Sequence, residues 1–449
     1  MSILFAFSPA DLRSLADVSL DHARVLGASD AAAEVSESVG LSVNTRKCEV
    51  ETIEHTRDKG LSVSVYLGRR RGYASTSDFA PAAIRQAVDA AYNIARFTAE
   101  DEAAGLPDDD TFERAPRDLD LLHPWAIDTE SAIRLAQECE RAAFAVSAQI
   151  VNSEGANVYT SSGHFMLANT RGFAAGYPYS RHSISVAPIA QDARGMQRDD
   201  WYTSERVPQD LAPPAAVGDY AARRALARLC ARKLKTRKVP VLFEAPLASS
   251  LLGNFVQAAS GGALYRKASF LVDALDKPLF ADHVSVREDP FLPRGSGSAP
   301  FDEEGVRALR RDVVDSGRLT GYFLSTYSAR KLGMKSTGNA GGAYNLELRS
   351  TLTRDSDDFA AMLRKLGTGL LVTEVIGQGV NTVTGDYSRG ASGFWVERGE
   401  IAYPVEEITI AGNLREMFGR IVAVGADRIA RGGRIAGSVL IERMTVGGA

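Results

Sequence analysis

The sequence predicts an α+β protein: an N-terminal α/β domain of helices packed on a mostly antiparallel sheet, residues 1–236, and a large β-rich C-terminal domain, residues 237–449. Three observations carry this. Runs such as "GLSVSVYLG" alternate apolar and polar residues, the period of half-buried antiparallel strands. Between them, "APAAIRQAVDAAYNIARF" repeats its apolar residues at helical spacing. Beyond a basic stretch ending in "ARKLKTRK", glycine-punctuated strands dominate. With 449 residues, 45% of them hydrophobic, the chain can build more than one core.

The elements follow in order. "SPADLRSLADVSLDHARVLG" opens a helix, with Ser8 as N-cap, Pro9 in the first turn and Gly27 at the stop. Strands follow through "AAAEVSESVGLSVNTRKCEVETI" and "GLSVSVYLG", where Leu61, Val63, Val65 and Leu67 share a face. The next helix sets Ile84, Ala87, Val88, Ala91, Ile94 and Ala95 on its buried stripe. "TAEDEAAGLPDDD" reads as a solvated loop. A further helix spans about Thr129 to Val146, and alternating strands run from Ile150 to about Ala190. A basic helix, roughly Ala215 to Lys235, precedes the domain boundary near 236. Then "PVLFEAPLASSLLGNFVQAASGGALYRK" reads as a buried strand, an amphipathic helix and a glycine break. No short repeat supports a solenoid or propeller.

Composition excludes several function classes. A net charge of −4 with 24% charged residues gives no basic footprint for direct nucleic-acid binding. No apolar run is long enough to span a membrane, and the start lacks the pattern of a signal peptide, so a cytoplasmic location is expected. Cys48, Cys139 and Cys230 have no partner at metal or redox spacing; Cys139 and Cys230 read as small core residues, and disulfides are not expected. None of the six histidines has zinc-site spacing to another, and His55 and His182 read as strand or turn residues.

Candidate chemistry is sparse. "GSGSAP" lacks the lysine and the helix of a phosphate loop. Asp302, Glu303 and Glu304 in "FDEEG" read as a solvated turn before Gly305. Glu406 and Glu407 fall on opposite faces of a strand and cannot readily share acid–base work. The densest polar group is "VTGDYSRGASGFW", with Asp386, Tyr387, Ser388 and Arg389, then Trp395. Glycines permit close backbone approach, an aromatic ring can stack, and charged groups can grip polar ones, which suits an extended peptide beside a strand. The plainer reading is a hairpin in which Arg389 and Asp386 pair locally.

Together with "STYSARKLGMKSTGNAGG", "GSAPFDEEGV", "SGGALYRKASFL" and "KGLSVSVYLGRRRGYASTSDF", the stretch from Val375 to Asn413 closely resembles the TldD/PmbA family. Its match is to the PmbA (TldE) branch, whose members are also called modulators of DNA gyrase. The resemblance implies two domains and a cytoplasmic assembly that degrades unfolded peptides, among them an antitoxin, and trims the leader of a modified peptide antibiotic. In the TldD branch it implies a His-Glu-x-x-x-His zinc motif at the strand-to-helix junction and a C-terminal Cys ligand, the glutamate serving as general base. The matching positions here are Gly253, Asn254, Phe255, Val256, Gln257 and Ala258. Both imidazoles and the carboxylate are missing, no histidine falls between His182 and His283, and no cysteine follows Cys230.

The expectation is therefore a non-catalytic subunit of a TldD/TldE-type metalloprotease. It holds no metal or other cofactor itself, and zinc is expected in a TldD-type paralogue with which it forms a heterodimer. Alone, it is expected to form a homodimer. An autonomous hydrolase is one alternative, using Ser249 or Ser250, or Asp386 with Ser388 and Arg389; such serines need an adjacent base that the sequence does not propose. A homodimeric peptide-binding regulator, acting on gyrase indirectly, is another.

Overall fold

In the computed structural model, which describes residues 4–448, the chain divides into two units: Met1–Leu226 with Pro300–Ala308, and Ala227–Ala299 with Leu309–Ala449. The first opens with α1 (Pro9–Val25). Ser8 accepts the Asp11 N–H while the Asp11 carboxylate accepts the Ser8 N–H, a reciprocal capping box. Then come β1 (Asp30–Arg46), β2 (Glu49–Leu67), β3 (Arg70–Thr76), α2 (Pro81–Phe97) and α3 (Thr129–Val146). β4 (Ile150–Asn169), β5 (Ala174–Ala175), β6 (Pro178–Gln191), β7 (Met196–Arg198), β8 (Trp201–Glu205) and α4 (Pro214–Ala227) complete it.

These strands form one antiparallel sheet in the order β3-β2-β1-β4-β6-β7, with β5 on β4 and β8 on β6. Side chains alternate across it, so one face is core. Val35 and Val63 lie beneath α1 and α2; Val43 and Ile184 lie beneath α3, beside Val217 of α4. The β1–β2 hairpin turns on Lys47 and Cys48, both with positive φ (54° and 60°), the two-residue geometry that matches strand twist. Glu140 of α3, wholly buried, accepts both of their N–H groups at 2.9 and 2.6 Å and ties the hairpin to the helix.

Three expectations need correction. Ile94 is 49% exposed, because the buried stripe of α2 passes from Ala91 to Ala95 instead. In the acidic loop, Ala103, Ala104 and Leu106 are buried. The basic helix stops at Ala227: Cys230 takes φ 62° and is exposed, not core. Beyond it the Arg232 N–H bonds Pro404 O, and Leu234 sits in the second unit's core. That apolar anchor outweighs helix propensity in the tail. Cys139 is buried, and burial pushes its thiol up to about 12.

The second unit begins with β9 (Arg237–Phe243), α5 (Ala245–Ala259) and the short α6 (Gly261–Tyr265). β10 (Val284–Asp289), β11 (Arg311–Asp315), β12 (Arg318–Leu319), α7 (Thr326–Lys331), β13 (Asn345–Ser350) and α8 (Phe359–Leu366) follow. The remainder is β14 (Gly369–Ile376), β15 (Asp386–Glu397), β16 (Glu400–Asn413), α9 (Leu414–Gly419), β17 (Ile421–Val424), β18 (Ile429–Arg431), β19 (Arg434–Ala436) and β20 (Val439–Gly447). One six-stranded sheet runs β12-β11-β10-β13-β19-β18 and the other β16-β15-β14-β9-β20-β17. Because β16 also pairs with β20, the second sheet closes on itself and leaves few free edges. Among the strand pairs of the described residues, β9–β14 and β13–β19 are the parallel ones. The result is the α+β architecture that the alternating patterns predict, with a sheet-rich C-terminal part. No helix among the described residues is long and apolar enough to cross a membrane.

Candidate functional site

β9 holds the middle of its sheet, between β14 and β20, and delivers α5 into the unit's interior. Leu251, Leu252, Phe255, Ala258 and Ala259 are buried in one cluster with Val286 of β10 and Leu346 of β13. Phe255 meets Phe280, Phe323 and Phe418 edge-on, with ring centroids 5.6, 5.9 and 6.5 Å away. Burying such a ring contributes about 2–3 kcal/mol, so α5 is anchored as a core helix.

The positions that the resemblance aligns with zinc ligands lie along this helix. Gly253 and Asn254 are half-buried, while Ala258 is 0% exposed. A β-carbon at Gly253 would stand 2.9 Å from Nη1 of Arg434, whose guanidinium from β19 lies against the helix. No sequence motif marked that arginine; it arrives through the β18–β19 hairpin. Glycine, asparagine and alanine supply neither imidazole nor carboxylate, and a guanidinium beside them repels a cation. These residues do not fit a zinc ion. Among the described residues, no three His, Cys, Asp or Glu side chains are grouped to hold a metal.

Ser249, 6% exposed, donates its hydroxyl to Pro246 O at 2.8 Å, the local back-bond of a helical serine. Its proton is therefore committed to a backbone carbonyl rather than to a base. His182 is equally occupied: its ring nitrogens meet Thr160 Oγ1 and His123 O, each at 2.8 Å, and burial lowers its pKa. It is a core histidine of β6. Asp302 accepts the Glu304 and Val306 N–H groups and builds a turn at "FDEEG", but at 3% exposure it is buried rather than solvated as expected, because both of those bonds draw its carboxylate inward.

The "GDYSRG" stretch begins β15. Asp386 accepts from Thr384 Oγ1 at 2.7 Å and Asn413 Nδ2 at 3.1 Å, and these bonds hold its carboxyl below the usual range. Arg389 donates to Ile376 O at 3.3 Å and does not pair with Asp386. The 377–381 segment crosses here: the Ser388 N–H meets Gly379 O at 2.6 Å, and a β-carbon on Gly379 would lie 1.7 Å from Ser388 O. Only glycine allows that approach. Tyr387 and Trp395 face inward, 1% and 5% exposed, leaving Asp386, Ser388 and Arg389 within reach of solvent. Thr384 and Asn413, which position Asp386, were not singled out by sequence, since Asn413 comes from β16, far along the chain.

Three models of one family match the chain: PmbA/TldA metallopeptidase domain 1 over residues 31–95, the central domain over 122–229 and the C-terminal domain over 236–448. The chain is 46% identical to metalloprotease PmbA of Escherichia coli O157:H7, covering 94% of this chain and 93% of that one. It is 44% identical to a PmbA homologue of Haemophilus influenzae, over 98% and 96%. Among solved structures, a protein of Bacteroides thetaiotaomicron described as a modulator of DNA gyrase superposes with TM-score 0.91 at 25% identity, covering 97% and 99%. TldE of Thermococcus kodakarensis, at 16% identity and TM-score 0.83 over 97% and 100%, shares the fold. The chain belongs to the PmbA/TldD metallopeptidase family.

Proposed function

We propose that this chain is the non-catalytic subunit of a TldD/TldE-type cytoplasmic metalloprotease acting on unfolded peptides, and that zinc resides in a TldD-type paralogue. The observation that carries the reading is the content of α5. Where the resemblance expects two imidazoles and a carboxylate, Gly253, Asn254 and Ala258 stand, Ala258 wholly in the core and Gly253 against the Arg434 guanidinium. A helix so filled serves packing. Asp386, Ser388 and Arg389 remain the candidate peptide contacts of this unit.

Reconstitution tests it. This chain, the paralogue and their mixture are each assayed on an unstructured peptide, with and without chelator. The expected result is hydrolysis only by the mixture, abolished by chelator. Full activity of the paralogue alone, or of this chain in chelator, would overturn the reading.

A further inference from the structure

The sheet of the first unit has a second face, and its composition is unusual. Register places on it the residues of β1 opposite in parity to the buried Val35 and Val43, with their cross-strand partners. Ser36, Ser38 and Ser42 come from β1, Ser161 from β4, and Ser183 and Ser185 from β6, all half-exposed. At one end Phe165 and Leu167 pack against Phe112, Phe173 and Phe301, and Ala32 and Tyr66 pack against Ala104 and Leu106; the serines lie outside these clusters. Serine brings no β-branched or aromatic packing to a strand, so its repetition at the centre of this face is not what strand propensity selects.

Serine hydroxyls both donate and accept, and cost little side-chain entropy when fixed. Tyr73, Tyr159 and Tyr179 stand on the same face, 52%, 38% and 36% exposed. Exposed tyrosine among serine and glycine is the composition of surfaces that recognise polypeptide adaptably.

Charge then selects the ligand. Glu34, Glu54 and Asp58 lie on this face and have no cationic partner among the described residues. Glu303, carried in on Pro300–Ala308, stands near Glu34, and burial together with that neighbour raises the Glu34 pKa. The guanidiniums at this face are engaged with the protein itself: Arg71 bonds Ser64, Arg181 bonds Ser204, and Arg206, beside Arg181 and Tyr179, bonds Ser180 O. Glu54 and Asp58 are separated by four strand residues, about 13 Å, and Glu34 pairs with Ser62, four residues further on. An extended chain has the same rise, so its residues i, i+4 and i+8 share one side and meet these carboxylates in turn.

We infer that this face binds an extended peptide carrying basic side chains at every fourth residue, aligned with β1 and β2. The inference rests on the reading that the ligand is unfolded peptide, but its test uses this chain alone, so failure here and failure of reconstitution are separate results. Three fluorescent peptides in a Gly/Ser/Thr background are compared at low salt by anisotropy. One has lysine at every fourth position, one has the same lysines adjacent, and one has glutamate at every fourth position. The spaced-lysine peptide binds tightest. Glu34→Gln with Glu54→Gln and Asp58→Asn weakens it roughly tenfold, the sum of three modest exposed pairs. A control of equal charge on the helical side, Asp17→Asn with Asp21→Asn and Glu130→Gln, leaves affinity unchanged. Equal binding of lysine and glutamate peptides, equal binding of spaced and adjacent lysines, or equal loss in the control variant would each overturn the inference.

Discussion

The hydroxyl of Tyr387 is the most informative single atom of the β15 stretch. Its ring is 1% exposed, the hydroxyl has no hydrogen-bond partner among the described residues, and burial pushes its pKa up to about 12. A buried, unpaired hydroxyl costs about 1–3 kcal/mol, so replacing it with hydrogen removes a penalty without opening a cavity. Tyr387→Phe is expected to keep or raise the thermal midpoint, read by calorimetry, and to leave peptide affinity unchanged. A clear fall in affinity would return Tyr387 to the peptide contacts that "VTGDYSRG" brings to mind. The residues that remain reachable, Asp386, Ser388 and Arg389, are the ones a mutational scan of this stretch is expected to find sensitive.

At the scale of elements, α5 shows what could and could not be read in advance. That a buried strand leads into an amphipathic helix here was legible, because helix period is local, whereas the positions matched to a zinc motif came from the family resemblance alone. α1, with its Ser8 cap, and α3, starting at Thr129, were legible for the same reason. Arg434 was not, since a hairpin nearly two hundred positions downstream brings it to Gly253. Nor was the end of α4, where burial of Leu234 overrides a helical pattern, nor the bare face of the first sheet. The alternation in "AAAEVSESVGLSV" announces two faces but not which is covered. These facts predict the fate of a rebuilt motif. Gly253→His with Asn254→Glu and Ala258→His places one imidazole where Ala258 has no free volume and another against a guanidinium. Overpacking of this kind costs about 1–3 kcal/mol, and the burial of a polar ring adds to it. The triple variant is expected to unfold at lower temperature and to bind no stoichiometric zinc by elemental analysis. A stable variant that binds zinc one-to-one would mean that α5 keeps an open cradle.

For the molecule as a whole, stability against acid follows from which carboxylates fold into partnership. Asp357, 4% exposed, accepts Lys365 Nζ at 2.7 Å and the Arg354 N–H at 2.9 Å, and Lys365 first of all holds its pKa below the ordinary value of 3.8. A depressed carboxylate binds fewer protons folded than unfolded in that window. Its contribution is therefore complete above the unfolded pKa and is lost as pH falls through the folded one. Glu34 has the opposite sign: raised from 4.5, it holds a proton more readily when folded, so its effect on stability turns unfavourable as pH rises through its raised value. Asp357→Asn should cost about 1–2 kcal/mol at neutral pH, the scale of a hydrogen bond to a charged group, and almost nothing below the depressed pKa. Thermal scans of both proteins across that range are expected to converge at the acid end. Two curves that stay parallel throughout would mean that the loss comes from packing around α8 rather than from the charge.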